Sequence, residues 1–254
     1  MRRLCAGAVL AVAAPVARAA AEAAEAAGYD AGAHEQAFWE RTYSVHGDHG
    51  RRSYEWYGLG YEALEERLAA AAPDGSDVLV VGAGDSELSA SLAGAGRQVT
   101  SIDFSEEVVR RMRAAHPELS FLHMDARSMA FEAASFDAAI DKGLSDCLPD
   151  AAALRSYFAE LHRVLRPGGA LLVVSMKGLG KLGGNWSCER DHKILGSEFA
   201  DVSEFAPAAK VPRTEGTVAY HVLLCRAKPV PDAREADCGG DVRAGACETA
   251  AERL

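Results

Sequence analysis

The 254-residue sequence is restricted first by what it omits. Its six cysteines stand singly at positions 5, 147, 188, 225, 238 and 247, with no C-x-x-C pair and no zinc-ligand spacing. That pattern predicts reduced, unpaired thiols, with a Cys238 to Cys247 bridge the one pairing left open. His34, His46 and His49 lie close together but have neither partner cysteines nor an H-E-x-x-H helix, so no metal site is expected. Basic charge is scarce: 27 Lys and Arg against 37 Asp and Glu give a net charge of -10 and a pI near 5.3. A phosphate backbone is therefore a poor partner, and a basic or neutral substrate fits better. There is no G-x-x-x-x-G-K-[ST] run, which excludes a P-loop. The dinucleotide fingerprint G-x-G-x-x-G is broken by Glu87, which weakens a nicotinamide cofactor.

What is present suits one domain with flanking segments, since 49% hydrophobic and 25% charged residues are ordinary for a globular chain. At the start, Arg2 and Arg3 precede an apolar run from Leu4 to Val16 and then Ala17-Arg18-Ala19. Residues 1–19 thus read as a signal or transit peptide, pointing to the secretory pathway or an organelle. An uncleaved Ala-rich extension on a cytoplasmic protein is the alternative. The run is shorter than the roughly 20 residues of a membrane span. From 229 to 254 the chain has almost no large apolar residue and reads as a disordered tail, leaving 33–228 as the folded domain.

Within that domain, helices are expected over Ala33 to Tyr43, before a polar loop from Ser44 to Arg52, and over Gly58 to Ala72. Strands and helices then alternate. The strands are Val78 to Val81, Gln98 to Ile102, Leu119 to His123, Phe136 to Ile140 and Ala170 to Ser175. The helices start near Ser86, after Ser105, and along the Leu154, Phe158, Leu161, Leu165 stripe. Strand character around Trp186, Val202 to Phe205 and Val218 to Cys225 lacks intervening helices. The expected fold is α/β: a Rossmann-like, doubly wound, mostly parallel seven-stranded sheet with a C-terminal antiparallel hairpin.

The first strand runs into Gly82-Ala83-Gly84, a turn tight enough for close approach to a ligand, and three later strands close on Asp103, Asp125 and Asp141. Ligands of such sheets bind at those strand ends. Three acids there suit a ribose, an adenine amino group and a cationic tail, which S-adenosylmethionine combines. Asp103 would accept from the ribose hydroxyls, Asp125 from the adenine, and Asp141 would lie near the sulfonium. The competing readings are helix capping for Asp103 and Asp125, and pairing with Lys142 for Asp141.

The runs Leu79 to Ser89, Val99 to Ser105 and Asp141-Lys142-Gly143 resemble class I methyltransferases. More narrowly, they are similar to the seven-strand lysine methyltransferases acting on translation elongation factor 1-alpha and their relative acting on citrate synthase. Phe38-Trp39-Glu40-Arg41 with Tyr43, Tyr54-Glu55-Trp56-Tyr57, and Tyr220 to Cys225 match that subgroup, so the resemblance covers roughly 35–228. It implies that Trp39, Tyr43 and Trp56 fold over the cofactor and that Gly82 and Gly84 lie under it. It also implies that Asp103 with Phe104 brackets ribose and adenine, Asp125 with Ala126 meets the base, and Asp141 stands beside the methyl donor. Trp56 reads equally well as core packing. Where the subgroup has a Thr after D/E-K-G, this chain has Leu144-Ser145-Asp146, and the segment after Cys147 is short.

The implied activity is S-adenosylmethionine-dependent methylation of a protein lysine. The rivals are a small-molecule methyltransferase and a non-catalytic cofactor-binding scaffold; an aminopropyltransferase would share the sheet but not the upstream aromatics. In-line methyl transfer is chiefly a matter of positioning, so no catalytic base is assigned, though Asp141 or Asp146 could orient the amine.

Overall fold

Val78 to Val81 carry β-branched and apolar side chains on both sides of the strand, and all four are buried, which places this strand at the centre of a sheet covered on both faces. In the computed structural model, residues 33–48, 53–176, 184–189, 192–197 and 217–229 are described. Along the chain these are α1 (Ala33–Asp48), a 3₁₀ turn at Trp56–Gly58, α2 (Tyr61–Ala71), β1 (Asp77–Val81), α3 (Leu88–Gly94), β2 (Gln98–Asp103), α4 (Glu106–Ala115) and β3 (Ser120–His123). There follow β4 (Phe136–Lys142), α5 (Leu144–Cys147), α6 (Ala151–Val164), β5 (Leu165–Ser175), β6 (Trp186–Cys188), β7 (His192–Ser197) and β8 (Thr217–Ala227). The leader expected over 1–19, the tail from 230, Cys238, Cys247, His49 and the strand expected at Val202 to Phe205 lie outside the described residues.

The sheet order is β3-β2-β1-β4-β5-β8-β6, with β7 also on β8. The first five strands are parallel, and β8 runs antiparallel to β5 and to both β6 and β7. Eight strands therefore fill seven positions, because β6 and β7 lie end to end along one edge of β8. Alternate residues of each strand feed two cores. Leu64 and Leu68 of α2, Leu92 of α3 and Met112 of α4 pack with Val78, Val80 and Ile140 on one face. Tyr157, Phe158 and Leu161 of α6 pack with Leu79, Val81 and Val173 on the other. This is the doubly wound, Rossmann-like sheet expected from the alternation.

Boundaries differ where tertiary contacts outweigh local signals. α1 continues to Asp48 through the segment expected to be loop, since one internal glycine costs a helix only about 1 kcal/mol. α2 begins at Tyr61 rather than Gly58, because Tyr57 adopts φ +69 and breaks the approach. β5 begins at Leu165, directly after α6, and its register on β4 jumps between Phe136 and Ala138 to absorb the Pro167-Gly168-Gly169 segment.

The expectation of unpaired thiols is overturned at one place: Cys188 and Cys225 form a disulfide. The register sets Cys188 of β6 directly opposite Cys225 of β8. Backbone bonds from Glu189 N to Leu224 O and from Lys228 N to Asn185 O mark the Cys188 position as a non-hydrogen-bonded pair, where opposing side chains approach most closely. Two cysteines 37 residues apart carry no spacing signature, so only strand pairing reveals them. Reducing this bridge is expected to lower unfolding stability by about 2–4 kcal/mol. Denaturant titrations with and without reductant, using Cys225→Ala as a non-bridging control, measure that difference.

Candidate active site

At the end of β1 the backbone turns through Gly82 (φ +58) and Gly84 (φ +57), conformations that L side chains adopt only at a cost. Ala83 N donates to Ile102 O at 3.0 Å, and Gly84 N donates to the Asp103 carboxylate at 2.9 Å, so the turn is bonded to the end of β2. The second Asp103 oxygen accepts from Ser105 N at 3.0 Å. Burial pushes the Asp103 carboxyl up to about 6, against the lowering effect of these two backbone donors. Each oxygen retains a second acceptor direction.

Phe104 follows, its carbonyl accepting from Gln36 Nε2 at 3.4 Å and lying 3.0 Å from His123 Nε2. Past β3, Asp125 is engaged by Arg127, whose Nε lies 2.9 Å and 3.0 Å from its two oxygens, with Ala126 buried between them. Asp103, Asp125 and Asp141 thus occupy one edge of the parallel sheet. Register places Asp141 beside Val81, the residue before the glycine turn.

The carboxylate of Asp141 is not open at that edge as expected. It is fully buried and accepts from Leu144 N at 2.8 Å, Ser145 N at 3.2 Å and Tyr157 Oη at 2.9 Å, bracing the start of α5. Burial raises its pKa to about 6. Nor does it pair with Lys142. Adjacent residues of a strand project to opposite faces, and the Lys142 ammonium goes to Glu55, with further bonds to Leu59 O at 3.1 Å and Ser86 Oγ at 3.3 Å. Burial lowers the Lys142 pKa, and Glu55 opposes that shift.

The upstream aromatics meet at the glycine turn. Trp39 stacks on Tyr43 with centroids 5.8 Å apart and meets Trp56 edge-on at 5.8 Å. A Cβ added to Gly84 would lie 2.8 Å from Tyr43 Oη and 3.8 Å from Trp56 Nε1. Tyr43 is itself buried, and burial first, then Asp103 and Asp85, keeps its phenol protonated. Gly84→Ala is expected to cost about 1–3 kcal/mol from the positive φ together with displacement of Tyr43. Urea unfolding of the variant beside the parent reads that cost.

A second group lies beside Gly143 (φ +95), where an added Cβ would fall 2.6 Å from Tyr57 Oη. Tyr57 donates to Asp146 at 2.7 Å and stacks on Tyr220 with centroids 4.4 Å apart. Asp146 also accepts from Ser175 Oγ and Met176 N, both at 2.6 Å, which ties α5 to the end of β5. Glu40, Tyr57 and Lys142 lie inside the motifs that carry the resemblance, but spacing assigns them no role in the site, because their hydrogen-bond partners are 56 to 89 positions away.

The methyltransferase domain family matches residues 79–173, which run from β1 into β5. The eEF1A lysine and N-terminal methyltransferase of Mus musculus is 32% identical over 212 residues, covering 76% of this chain and 29% of that protein. EEF1A lysine methyltransferase 4 of Mus musculus is 34% identical over 159 residues, covering 56% of this chain and 60% of the relative. The chain thus spans less than a third of the length of the first of these relatives. A solved structure from work on the conversion of a disulfide bond into a thioacetal group during echinomycin biosynthesis superposes with a TM-score of 0.58 at 21% identity, over 80% of this chain and 96% of that one. That likeness speaks for the fold. Residues 79–173 thus match a methyltransferase domain, and their sheet order and glycine turn are similar to those of class I methyltransferases.

Proposed function

We propose that this protein binds S-adenosylmethionine at the C-terminal ends of β1 and β2 and methylates the side-chain amine of a lysine in a protein substrate. The observation that carries the cofactor is the glycine turn hydrogen-bonded to Asp103 beneath Trp39, Tyr43 and Trp56. Gly82 and Gly84 permit close backbone approach, and Asp103 keeps acceptor capacity for ribose hydroxyls. Phe104, Asp125 and Ala126 stand where an adenine would lie, with Arg127 holding the Asp125 carboxylate in place. Asp141 acts from behind, by shaping α5. The lysine acceptor rests on the names of the eEF1A methyltransferase relatives.

When bound, the cofactor supplies an electrophilic methyl on its sulfonium. The chain's own residues supply alignment, which accounts for up to about 7–11 kcal/mol of barrier in such reactions. The acceptor amine must be neutral, against an ordinary lysine pKa of about 10.4. Tyr57, packed beside Gly143, stays protonated because burial and Asp146 both raise its pKa, so it is held as a hydrogen-bond donor.

The test is incubation of purified protein with tritiated S-adenosylmethionine and a lysate of its source. Label on a protein lysine supports the reading. Label confined to small molecules overturns the acceptor assignment, and no label together with no cofactor binding in calorimetry overturns the whole proposal.

A further inference from the structure

The aromatic cover is tied to the domain by two carboxylates, each adjacent in sequence to one of its tryptophans. Glu40, next to Trp39, accepts from Ser105 Oγ at 2.9 Å, Glu106 N at 2.7 Å and Glu107 N at 3.0 Å, all at the start of α4. Glu55, next to Trp56, accepts from Ser86 Oγ at 2.7 Å and Glu87 N at 2.9 Å just before α3, while its other oxygen pairs with buried Lys142. A serine also stands at the start of each helix, as the N-cap of α4 and just ahead of the cap of α3. Ser105 Oγ accepts from Val108 N at 3.3 Å, and Ser86 Oγ accepts from Leu88 N at 3.1 Å. What the glutamates add is attachment of distant chain segments to the domain, across 65 and 31 residues respectively.

Those segments are the ones that bring rings to the glycine turn. From Glu40, α1 runs one helical turn to Tyr43, whose hydroxyl stands over Gly84 and whose carbonyl accepts from Arg111 Nη1 at 2.9 Å. From Glu55 the chain passes through Trp56 and Tyr57 to Leu59, whose carbonyl is held by Lys142. Trp39 and Trp56 then meet edge-on between the two attachment points. Neither glutamate touches the glycine turn in any bond described above; each acts through the tryptophan beside it.

Building on the cofactor assignment above, we propose that Glu40 and Glu55 are positioning residues for the cofactor, clasping Trp39 and Trp56 over the Gly82-Ala83-Gly84 turn. Lys142 is part of the same clasp on the Glu55 side, neutralising that carboxylate while also lying within reach of the Asp85 charge. The cofactor site is thereby built from two regions, and its affinity depends on residues that never contact the ligand.

The test uses the full chain carrying Trp186→Phe, so that of the three tryptophans only Trp39 and Trp56 emit. S-adenosylhomocysteine affinity is measured by calorimetry, and tryptophan emission is recorded with and without ligand. Glu40→Ala is expected to weaken binding tenfold or more, to shift ligand-free emission toward that of solvated indole, and to leave far-ultraviolet circular dichroism in place. Glu40→Gln, which keeps one acceptor oxygen, should fall between. Glu55→Ala should act in the same direction. Should that variant not fold because Lys142 is stranded, the Glu40 pair carries the test, as it leaves no buried cation behind. Affinity within twofold of the parent and unchanged emission in Glu40→Ala would overturn the proposal. Failure of the parent to bind S-adenosylhomocysteine overturns the cofactor assignment and the glutamates' role toward it. The ligand-free emission of the variants reads the clasp independently.

Discussion

Asp103→Ala is expected to weaken S-adenosylhomocysteine binding by roughly a hundredfold or more, because two hydrogen bonds to a charged acceptor contribute about 1.5–3 kcal/mol each and every 1.4 kcal/mol is a factor of ten. The substitution also strands Gly84 N and Ser105 N, which adds about 1–3 kcal/mol of instability for each donor left unpaired. Asp103→Asn separates the two effects, since one amide oxygen still accepts from the backbone. Calorimetric binding at a temperature well below unfolding is the measurement, and an Asp103→Asn protein with parental affinity would sink the assignment.

The same residue sets opposite pH dependences for binding and for stability. The Asp103 carboxyl is pushed up to about 6 by burial, so below that pH it takes up a proton and loses acceptor capacity. Affinity should therefore fall as pH drops through about 6. Folding behaves inversely. A carboxyl that holds its proton more tightly folded than unfolded favours the native state fully below its unfolded pKa of about 3.9, and loses that contribution as pH rises through its folded value. Asp141, also near 6, adds to the trend. Thermal stability should thus rise as pH falls from about 6 toward about 4 while cofactor affinity declines, a pairing that a generic acid denaturation does not produce.

Asp141→Ala should be the more damaging change to the fold. It removes the acceptor for Leu144 N, Ser145 N and Tyr157 Oη in a fully buried position, at about 1–3 kcal/mol for each donor left unpaired, or about 3–9 kcal/mol together. Asp141→Asn retains one acceptor oxygen and should lose much less. Because the carboxylate faces α5, cofactor affinity in the asparagine variant should stay near the parental value. A folded Asp141→Asn protein that has lost cofactor binding would contradict this placement and restore the direct role that the Asp141-Lys142-Gly143 motif suggests.

The unit from β1 through α3 to β2 was readable in the sequence because its signals are local: an apolar run, two glycines, and a strand closing on Asp103. The alternation of strands and helices followed from periodicity in the same way. Pairings across long stretches of chain were not readable. Cys188 and Cys225 become neighbours only through antiparallel register, and Glu40 meets α4 only because α1 folds back onto it. The direction of the Asp141 carboxylate was also hidden: its position at a strand end was clear, but Tyr157 and the two α5 amides that capture it come from a later turn and helix.

The outer edge of β8 has a further consequence. Between the Cys188–Cys225 and His192–Val222 pairs, the edge chain advances four residues while β8 advances three, so the ladder is broken by an extra residue. A ladder interrupted in this way is a poor template for a foreign strand, and such interruptions hinder sheet-to-sheet aggregation. The domain's margin is in this sense self-terminating, a property to which one surplus residue contributes.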